Sequence, residues 1–397
     1  MPRFEPFVGL RYDLDRVRAD QVIAPPYDVV ESAERARLSS RHPANAIAVE
    51  LPEPDLQRQM DRYQVAAELF SAWRAEGLVV PEAAPALYPY RMTSPDGRTT
   101  TGVVGALGLV VPGPEADVLP HEATLPKPRS DRLDLLRATG TNLSPVWGLS
   151  MTESLTALFE PTSDPAVSAT DDDGVRHELW VVTDRATTDA VGQAVRDSPV
   201  VIADGHHRYE TALAYQAEVR AANGDRPGPH DLVMALVVEL SPDELTVGPI
   251  HRTVSGLPEG TDLPAVFAEW FDVARAGDAS ERVVAALGES RSLALVTADG
   301  AWLLSPTEKV YEAAASDLDS SAVDFVLQAV PHKATHRHSW QEAVAALADG
   351  EAEAALLLRP PSVEQIAEWA GARRRMPPKT TYFSPKPRTG MVFRPVR

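Results

Sequence analysis

Pro199-Val200-Val201-Ile202-Ala203-Asp204-Gly205-His206-His207-Arg208-Tyr209-Glu210-Thr211-Ala212 is the stretch on which the reading of this 397-residue chain turns. Pro199–Ala203 is a short apolar run of strand type, and Asp204-Gly205 breaks it. From His206 to Ala222 the pattern is helical, with Tyr209, Leu213, Ala217 and Arg220 at helical spacing, and Asn223-Gly224 is a stop signal. The first amides of a helix have no internal partner, and its dipole is positive at that end. An anion is therefore at home where this strand turns into this helix. Gly205 lets the backbone approach a ligand closely, and His206, His207 and Arg208 add side-chain donors at the same point. Asp204 is placed either to cap the helix or to hold a magnesium ion that bridges phosphates.

Outward from this stretch the chain alternates strand and helix signals. Residues 59–78 read as an amphipathic helix ending near Gly77, and 86–92 and 99–111 as two strands of a hairpin around Pro95-Asp96-Gly97. Residues 130–139 read as a short helix with Ser130 as its N-cap, and 232–240, 292–297 and 355–358 as further strands. The proline- and cation-rich tail from Arg373 reads as an ordered loop-and-strand segment. No fixed-period repeat or low-complexity tract is present. The expected class is α+β with α/β-type segments, and the length calls for two or three structural units.

Composition removes several functional classes. The net charge of -19 and the lack of a Lys/Arg-rich arm argue against nucleic acid, while leaving room for a local basic pocket that takes a small anion. With no cysteine there is no disulfide, zinc-thiolate site or thiol chemistry. No apolar run is long enough to span a bilayer and the N-terminus lacks the layout of a secretion signal, so a cytoplasmic location is expected. Of the 38 basic residues only five are lysines, at 127, 309, 333, 379 and 386, in a chain that otherwise uses arginine.

Two more constellations carry chemistry. Pro120-His121-Glu122 precedes a polar run holding Thr124, Lys127, Arg129, Asp131 and Arg132, where a carboxylate is suited to accept the proton of an attacking hydroxyl. Pro377-Pro378-Lys379-Thr380-Thr381 opens a stiff loop that reaches Lys386, and its lysines and hydroxyls suit an oxyanion clamp. His251-Arg252-Thr253 follows a strand and is a candidate for the same cleft. His332, His336 and His338 read as a solvated loop, and Asp171-Asp172-Asp173-Gly174 as a turn. Nucleotide motifs of the P-loop, protein-kinase and dinucleotide types are all missing.

Taken together, the three constellations resemble the archaeal free-serine kinases, which carry a Pro-His-Glu loop, an Asp-Gly-His-His-Arg turn and a C-terminal Ser-Pro-Lys-Thr-Thr in the same order. Those kinases belong to the ParB/sulfiredoxin-like superfamily. The whole chain also resembles a bacterial and archaeal family of unknown function, through Ala24-Pro25-Pro26-Tyr27-Asp28 and the Ala203–Ala212 run. The resemblance implies a small-molecule kinase that moves a phosphoryl group from ATP or ADP, with Mg2+, to L-serine or a similar hydroxy acid. It implies Glu122 and Asp204 as catalytic groups, and Asp204 as the magnesium ligand. Gly205, His206, His207, Arg208, Lys127 and Arg132 would bind nucleotide phosphate. His121, His251, Arg252, Lys379, Thr380 and Thr381 would hold substrate. It further implies an N-terminal α/β region at 1–98, a ParB/sulfiredoxin-like core at 99–255 and a C-terminal region at 256–397 whose tail returns to the active site. A homodimer is left open. The gap between Glu122 and Asp204 is roughly twice that of the kinases, and their sulfiredoxin relatives' cysteine is missing. The reverse reaction, a phosphoserine phosphatase and a non-catalytic nucleotide switch or metabolite sensor stay open as alternatives.

Overall fold

The computed structural model describes residues 1–113, 116–120, 130–277, 283, 287 and 291–397. The class is mixed α+β, and the chain divides into two compact units. Unit 1 holds Met1–Thr246, Ala370–Arg373 and Pro385–Arg397; unit 2 holds Val247–Trp369 and Arg374–Ser384. The sequence reading placed its boundaries after residues 98 and 255.

Unit 1 is built on a nine-stranded mixed sheet. Its strands are β1 (Phe4–Glu5), β2 (Tyr88–Thr93), β3 (Thr99–Gly108), β4 (Val118–Pro120), β5 (Val146–Ser150), β6 (Val167–Thr170), β7 (Arg176–Leu179), β8 (Val200–Asp204) and β9 (Leu232–Glu239). They lie in the order β4-β8-β5-β9-β3-β2-β7-β6, with β1 on β3. The β2–β3 hairpin forms around Pro95-Asp96-Gly97 as the turn chemistry dictates, with Gly97 at φ +85°. Strands β4 and β8 pair in parallel, as do β5 and β9. Both central strands β5 and β9 are buried almost throughout, and they read as continuous apolar runs because side chains cover both faces.

Four helices matter for the site: α1 (Arg62–Ala75), α2 (Ser130–Thr139), α3 (Arg185–Arg196) and α4 (His206–Asn223). Helix α1 opens with a reciprocal capping box between Asp61 and Gln64 and ends before Gly77. Helix α2 begins at Ser130 itself, which is therefore its first residue and not the cap expected there. Helix α4 stops at Gly224 in the left-handed region. Its buried face is Tyr209, Thr211, Ala212 and Tyr215, and Ala217 is exposed. Arg220 Nε donates to Asp231 at 2.8 Å. Tyr209 fixes the roll of the helix: its hydroxyl donates to the Val110 carbonyl at 3.0 Å and accepts from the Val110 amide at 2.9 Å. Tyr209 and Ala212 pack into the sheet core with Val200, Ile202, Val233 and Val237, while Tyr215 joins Leu133 and Leu136 of α2 and Val396.

The last segment is threaded through unit 1. Thr389 bridges Ala24, Phe393 bridges Leu10, and Arg394 pairs with Asn142. Phe393 is fully buried in a second core with Leu10, Tyr12, Ile47 and Phe70.

Unit 2 carries a six-stranded antiparallel sheet of β10 (His251–Ser255), β11 (Phe271–Gly277), β12 (Leu293–Thr297), β13 (Gly300–Pro306), β14 (Lys333–Arg337) and β15 (Ala354–Leu357). Its order is β11-β13-β12-β15-β10-β14. Among the described residues no helix is long and apolar enough to cross a membrane.

Candidate functional site

The strand-turn-helix at 199–224 forms as its sequence dictates, and Gly205 is its pivot. Gly205 stands at φ +85° as the N-cap of α4, a conformation that an L side chain adopts only at a cost. A Cβ there would also lie 3.0 Å from Arg208 Nε, because the Arg208 guanidinium folds back over the turn. No side chain caps the helix. Asp204 is thus not the cap; its carboxylate is taken by two cations. Arg208 Nη2 donates to Oδ2 at 2.7 Å, and Lys386 Nζ donates to Oδ1 at 2.9 Å. Burial pushes the Asp204 carboxyl up, but the charges of Lys386 and Arg208 outweigh it and hold the group well below the usual carboxylate range. Asp204 is ionised, and in direct contact two cations face this one carboxylate.

A second ring of residues backs this cluster. Arg208 Nη1 donates to the Pro145 carbonyl, and Arg208 feels the charges of Asp28, Tyr27 and Glu50. Tyr27 and Asp28 end the Ala24–Asp28 segment, the first of the two family motifs quoted above. Tyr27 carries the Arg132 guanidinium over its ring, 4.3 Å from the centroid. Arg132 Nη1 donates to the Glu50 carbonyl at 2.7 Å and stands 3.9 Å from the Glu50 carboxylate. Glu50 is 2% exposed and accepts from Ser144 Oγ at 3.0 Å. Its burial raises the carboxyl pKa, and Arg132 and Arg208 offset only part of the rise. Glu50, Arg132, Ser144 and Arg208 also line a small cavity of about 50 Å³, room for a water or two.

At the helix entrance the donor inventory is not used up. His207 Nε2 and Arg208 Nε are buried and have no hydrogen-bond partner among the described residues. Such atoms cost free energy until they are paired: Arg208 Nε–H needs an acceptor, and His207 Nε2 takes a donor or an acceptor according to its tautomer. Pro120 of β4, the last described residue before 121–129, pairs in parallel register with Ile202 of β8. Parallel pairing puts the ends of both strands at one edge of the sheet, so the chain leaves β4 beside the Asp204-Gly205 turn. Helix α2, where the described chain resumes, packs on α4.

Asp204, Gly205, His206, His207, Arg208 and Arg132 are therefore brought together within unit 1. His121, Glu122 and Lys127 lie outside the described residues. His251, Arg252, Lys379, Thr380 and Thr381 belong to unit 2. There Arg252 is 1% exposed, with its guanidinium on Asp324 and on the carbonyls of Ile250 and Lys379. His251 Nδ1 accepts from the Leu358 amide at 3.0 Å, and burial, with Arg252 and His338 beside it, pushes its pKa down to about 4. Thr380 is buried, donates to the Pro377 carbonyl and shares a hydrogen bond with Ser320. These three side chains are thus engaged inside the unit. Lys379 takes φ +60°, a strained backbone for a lysine.

Three contributors were not singled out as site residues by the sequence reading: Tyr27, Asp28 and Glu50. Lys386 was included in the tail's oxyanion clamp, but its pairing with Asp204 was not foreseen. Glu50 had no signal, since a lone glutamate after a short apolar run reads as surface. Among the described residues no three His, Asp or Glu side chains are grouped to hold a metal, and both Asp204 oxygens are bonded to cations. These donors do not form a magnesium site, and no step below is routed through a metal.

The family described as "Protein of unknown function (DUF1015)" matches residues 4–323. This chain belongs to that family. No curated protein matches it. Among solved structures, this DUF1015 protein is similar to a conserved hypothetical protein from Pyrococcus furiosus, with 15% identity over 70% of this chain and 90% of the other, at a TM-score of 0.36. It is similar to a free serine kinase in complex with AMP, with 15% identity over 67% of this chain and 83% of the other, at a TM-score of 0.34. A C-terminally truncated SbnI from Staphylococcus aureus is similar at 12% identity over 70% of this chain and 83% of its own, with a TM-score of 0.37. Likenesses this loose assign no residue.

Proposed function

We propose that this DUF1015 protein is a phosphotransferase with a ParB/sulfiredoxin-like core. It would move a phosphoryl group from ATP or ADP to the hydroxyl of free L-serine or a similar small hydroxy acid. The observation that carries the reading is the set of unspent polar groups at the start of α4. There Arg208 and Lys386 converge on Asp204, and the buried Arg208 Nε and His207 Nε2 still lack partners among the described residues. With the amides of the helix start, these groups suit the oxygens of a nucleotide polyphosphate. The three-motif resemblance supplies the reaction type.

In this reading the amides after Gly205, with His206, His207, Arg208 and Arg132, hold phosphate oxygens. Asp204 keeps Arg208 and Lys386 in place, so that two fixed positive charges await the charge spread over the transferring group. Glu122 takes the acceptor's hydroxyl proton as the new O–P bond forms, and the bond from phosphorus to the donor's bridging oxygen breaks. Lys127 is proposed to add to the phosphate donors and His121 to bind the acceptor; His251, Arg252 and Thr380, engaged inside unit 2, take no part in this reading.

Phosphorus NMR tests this directly. The chain is incubated with L-serine and either ATP or ADP, with and without magnesium; homoserine, threonine and glycerate serve as comparison acceptors. The expected result is a new phosphomonoester resonance together with loss of one phosphate from the donor. Absence of that resonance with every acceptor and both donors overturns the proposal. Glu122→Gln is expected to lower turnover by about 10²–10⁴-fold with nucleotide affinity unchanged.

A further inference from the structure

A second cavity in unit 1, of about 670 Å³, is lined by four arginines, Arg3, Arg74, Arg394 and Arg397, and by no Asp or Glu among the described residues. The rest of its wall is mostly apolar, including Phe7, Leu10, Leu232 and five prolines at 6, 81, 227, 229 and 395. Its size suits a small molecule.

Arg394 is the group that needs explaining. It is 3% exposed, and its guanidinium bonds only to neutral acceptors: the Leu232 carbonyl at 2.9 Å, the Pro229 carbonyl at 2.8 Å and Asn142 Oδ1 at 3.2 Å. Its Nε is buried with no hydrogen-bond partner among the described residues. A guanidinium buried without a carboxylate is costly, and here burial is strong enough to push its pKa down to about 10. The carboxylate that it feels, Glu5, is already paired with Arg3. Arg74 is exposed at the cavity and makes no ion pair with a described residue. Arg397 donates to Tyr215 Oη and to the Arg137 carbonyl, again neutral acceptors.

We infer that this cavity is a binding site for a small organic anion, a phosphate or carboxylate head on an apolar or aromatic body. The head would answer Arg394 and Arg74, and the body would lie along Phe7 and the proline-rich wall. This cavity is separate from the α4 entrance, shares no lining residue with the small cavity there, and does not depend on the phosphotransferase reading.

Isothermal titration calorimetry on the full chain tests the inference. The probes are phenyl phosphate and benzoate, with inorganic phosphate and benzyl alcohol as controls, each run on wild type and on Arg208→Ala to remove any contribution of the α4 entrance. Expected is saturable binding of at least one aromatic anion, equal in wild type and Arg208→Ala, with the better probe naming the head group. Binding should weaken about tenfold in Arg74→Ser, an exposed position that leaves the fold intact, and by at least as much in Arg394→Lys, which keeps charge but loses the fork. The inference fails if neither aromatic anion binds at millimolar concentration, if Arg74→Ser binds as wild type does, or if benzyl alcohol or inorganic phosphate binds as tightly as the aromatic anions.

Discussion

Two Asp-Gly turns in unit 1 are built alike and end differently. At each, an aspartate is gripped by a cation from the last segment of the chain: Asp171 by Arg388, and Asp204 by Lys386. At the first turn every bond closes on itself. Asp171 Oδ1 accepts the amides of Asp173 and Val175, and Oδ2 accepts from Arg388 and from His177 Nε2. The other nitrogen of His177 meets Tyr90 Oη at 2.8 Å, and that hydroxyl accepts the Arg388 amide. Burial holds His177 below its ordinary pKa, so it sits there as a neutral ring. The second turn opens a helix instead, and the helix entrance keeps polar groups unspent at His207 and Arg208. The same local chemistry thus gives a lock where the acceptors match the donors, and a candidate site where they do not.

The largest contrast is expected from Asp171→Asn. It leaves the buried guanidinium of Arg388 with only the exposed Asp173 carboxylate at 3.2 Å, and urea unfolding should show a loss of about 2–3 kcal/mol, with turnover per folded molecule unchanged. The folded-state pKa of Asp171 is depressed, its burial being outweighed by His177 and Arg388. Its contribution is therefore fully present above about pH 4 and is lost as pH falls, so the gap between wild type and variant should close in acid. A gap that persists at low pH would break the assignment of Asp171 as the lock.

Lys386→Met should instead lower turnover about 10²-fold, a larger effect than its loss of unfolding free energy, because the Asp204–Arg208 pair remains. Equal losses in both quantities would make Lys386 a second structural clamp and erase the difference between the turns. Arg208→Lys keeps the charge but not the fork; nucleotide affinity should drop about tenfold, read by calorimetry with ADP. The smallest effect is expected at Glu50. Its folded-state pKa is raised, so its contribution is present below about pH 4.3 and lost as pH rises through the folded value. Glu50→Gln, which keeps an acceptor for Ser144, should be at least as stable as wild type at pH 7, with that advantage disappearing near pH 4. A variant less stable than wild type at pH 7 would show that ionised Glu50 is needed to balance Arg132 and Arg208.

Much of this was legible beforehand where the cause is local. The strand, glycine turn and helix at 199–224, the hairpin at Pro95-Asp96-Gly97 and the helix before Gly77 all rest on propensity, caps and positive φ, which act within a few residues. Which face of α4 is buried was not read, because Tyr209's bonds to Val110, ninety-nine positions away, set the helix roll. Asp204 was read as a cap or metal ligand because its partner Lys386 stands 182 positions along the chain. The turn at Asp171 was recognised, but not its role, which needs Arg388 at 217 positions and His177 on β7.

By itself the sequence determined where the backbone must turn, which stretches are strand and helix, and that no thiol chemistry is possible. Only the tertiary structure decided which charges meet: that Lys386 and Arg208 share Asp204, that Tyr27 and Glu50 stand behind them, and that Arg394 is buried without a carboxylate. Backbone conformation is governed by steric terms that end within a turn or two. Pairing of buried charges is governed by desolvation, which exists only once distant segments have closed over them.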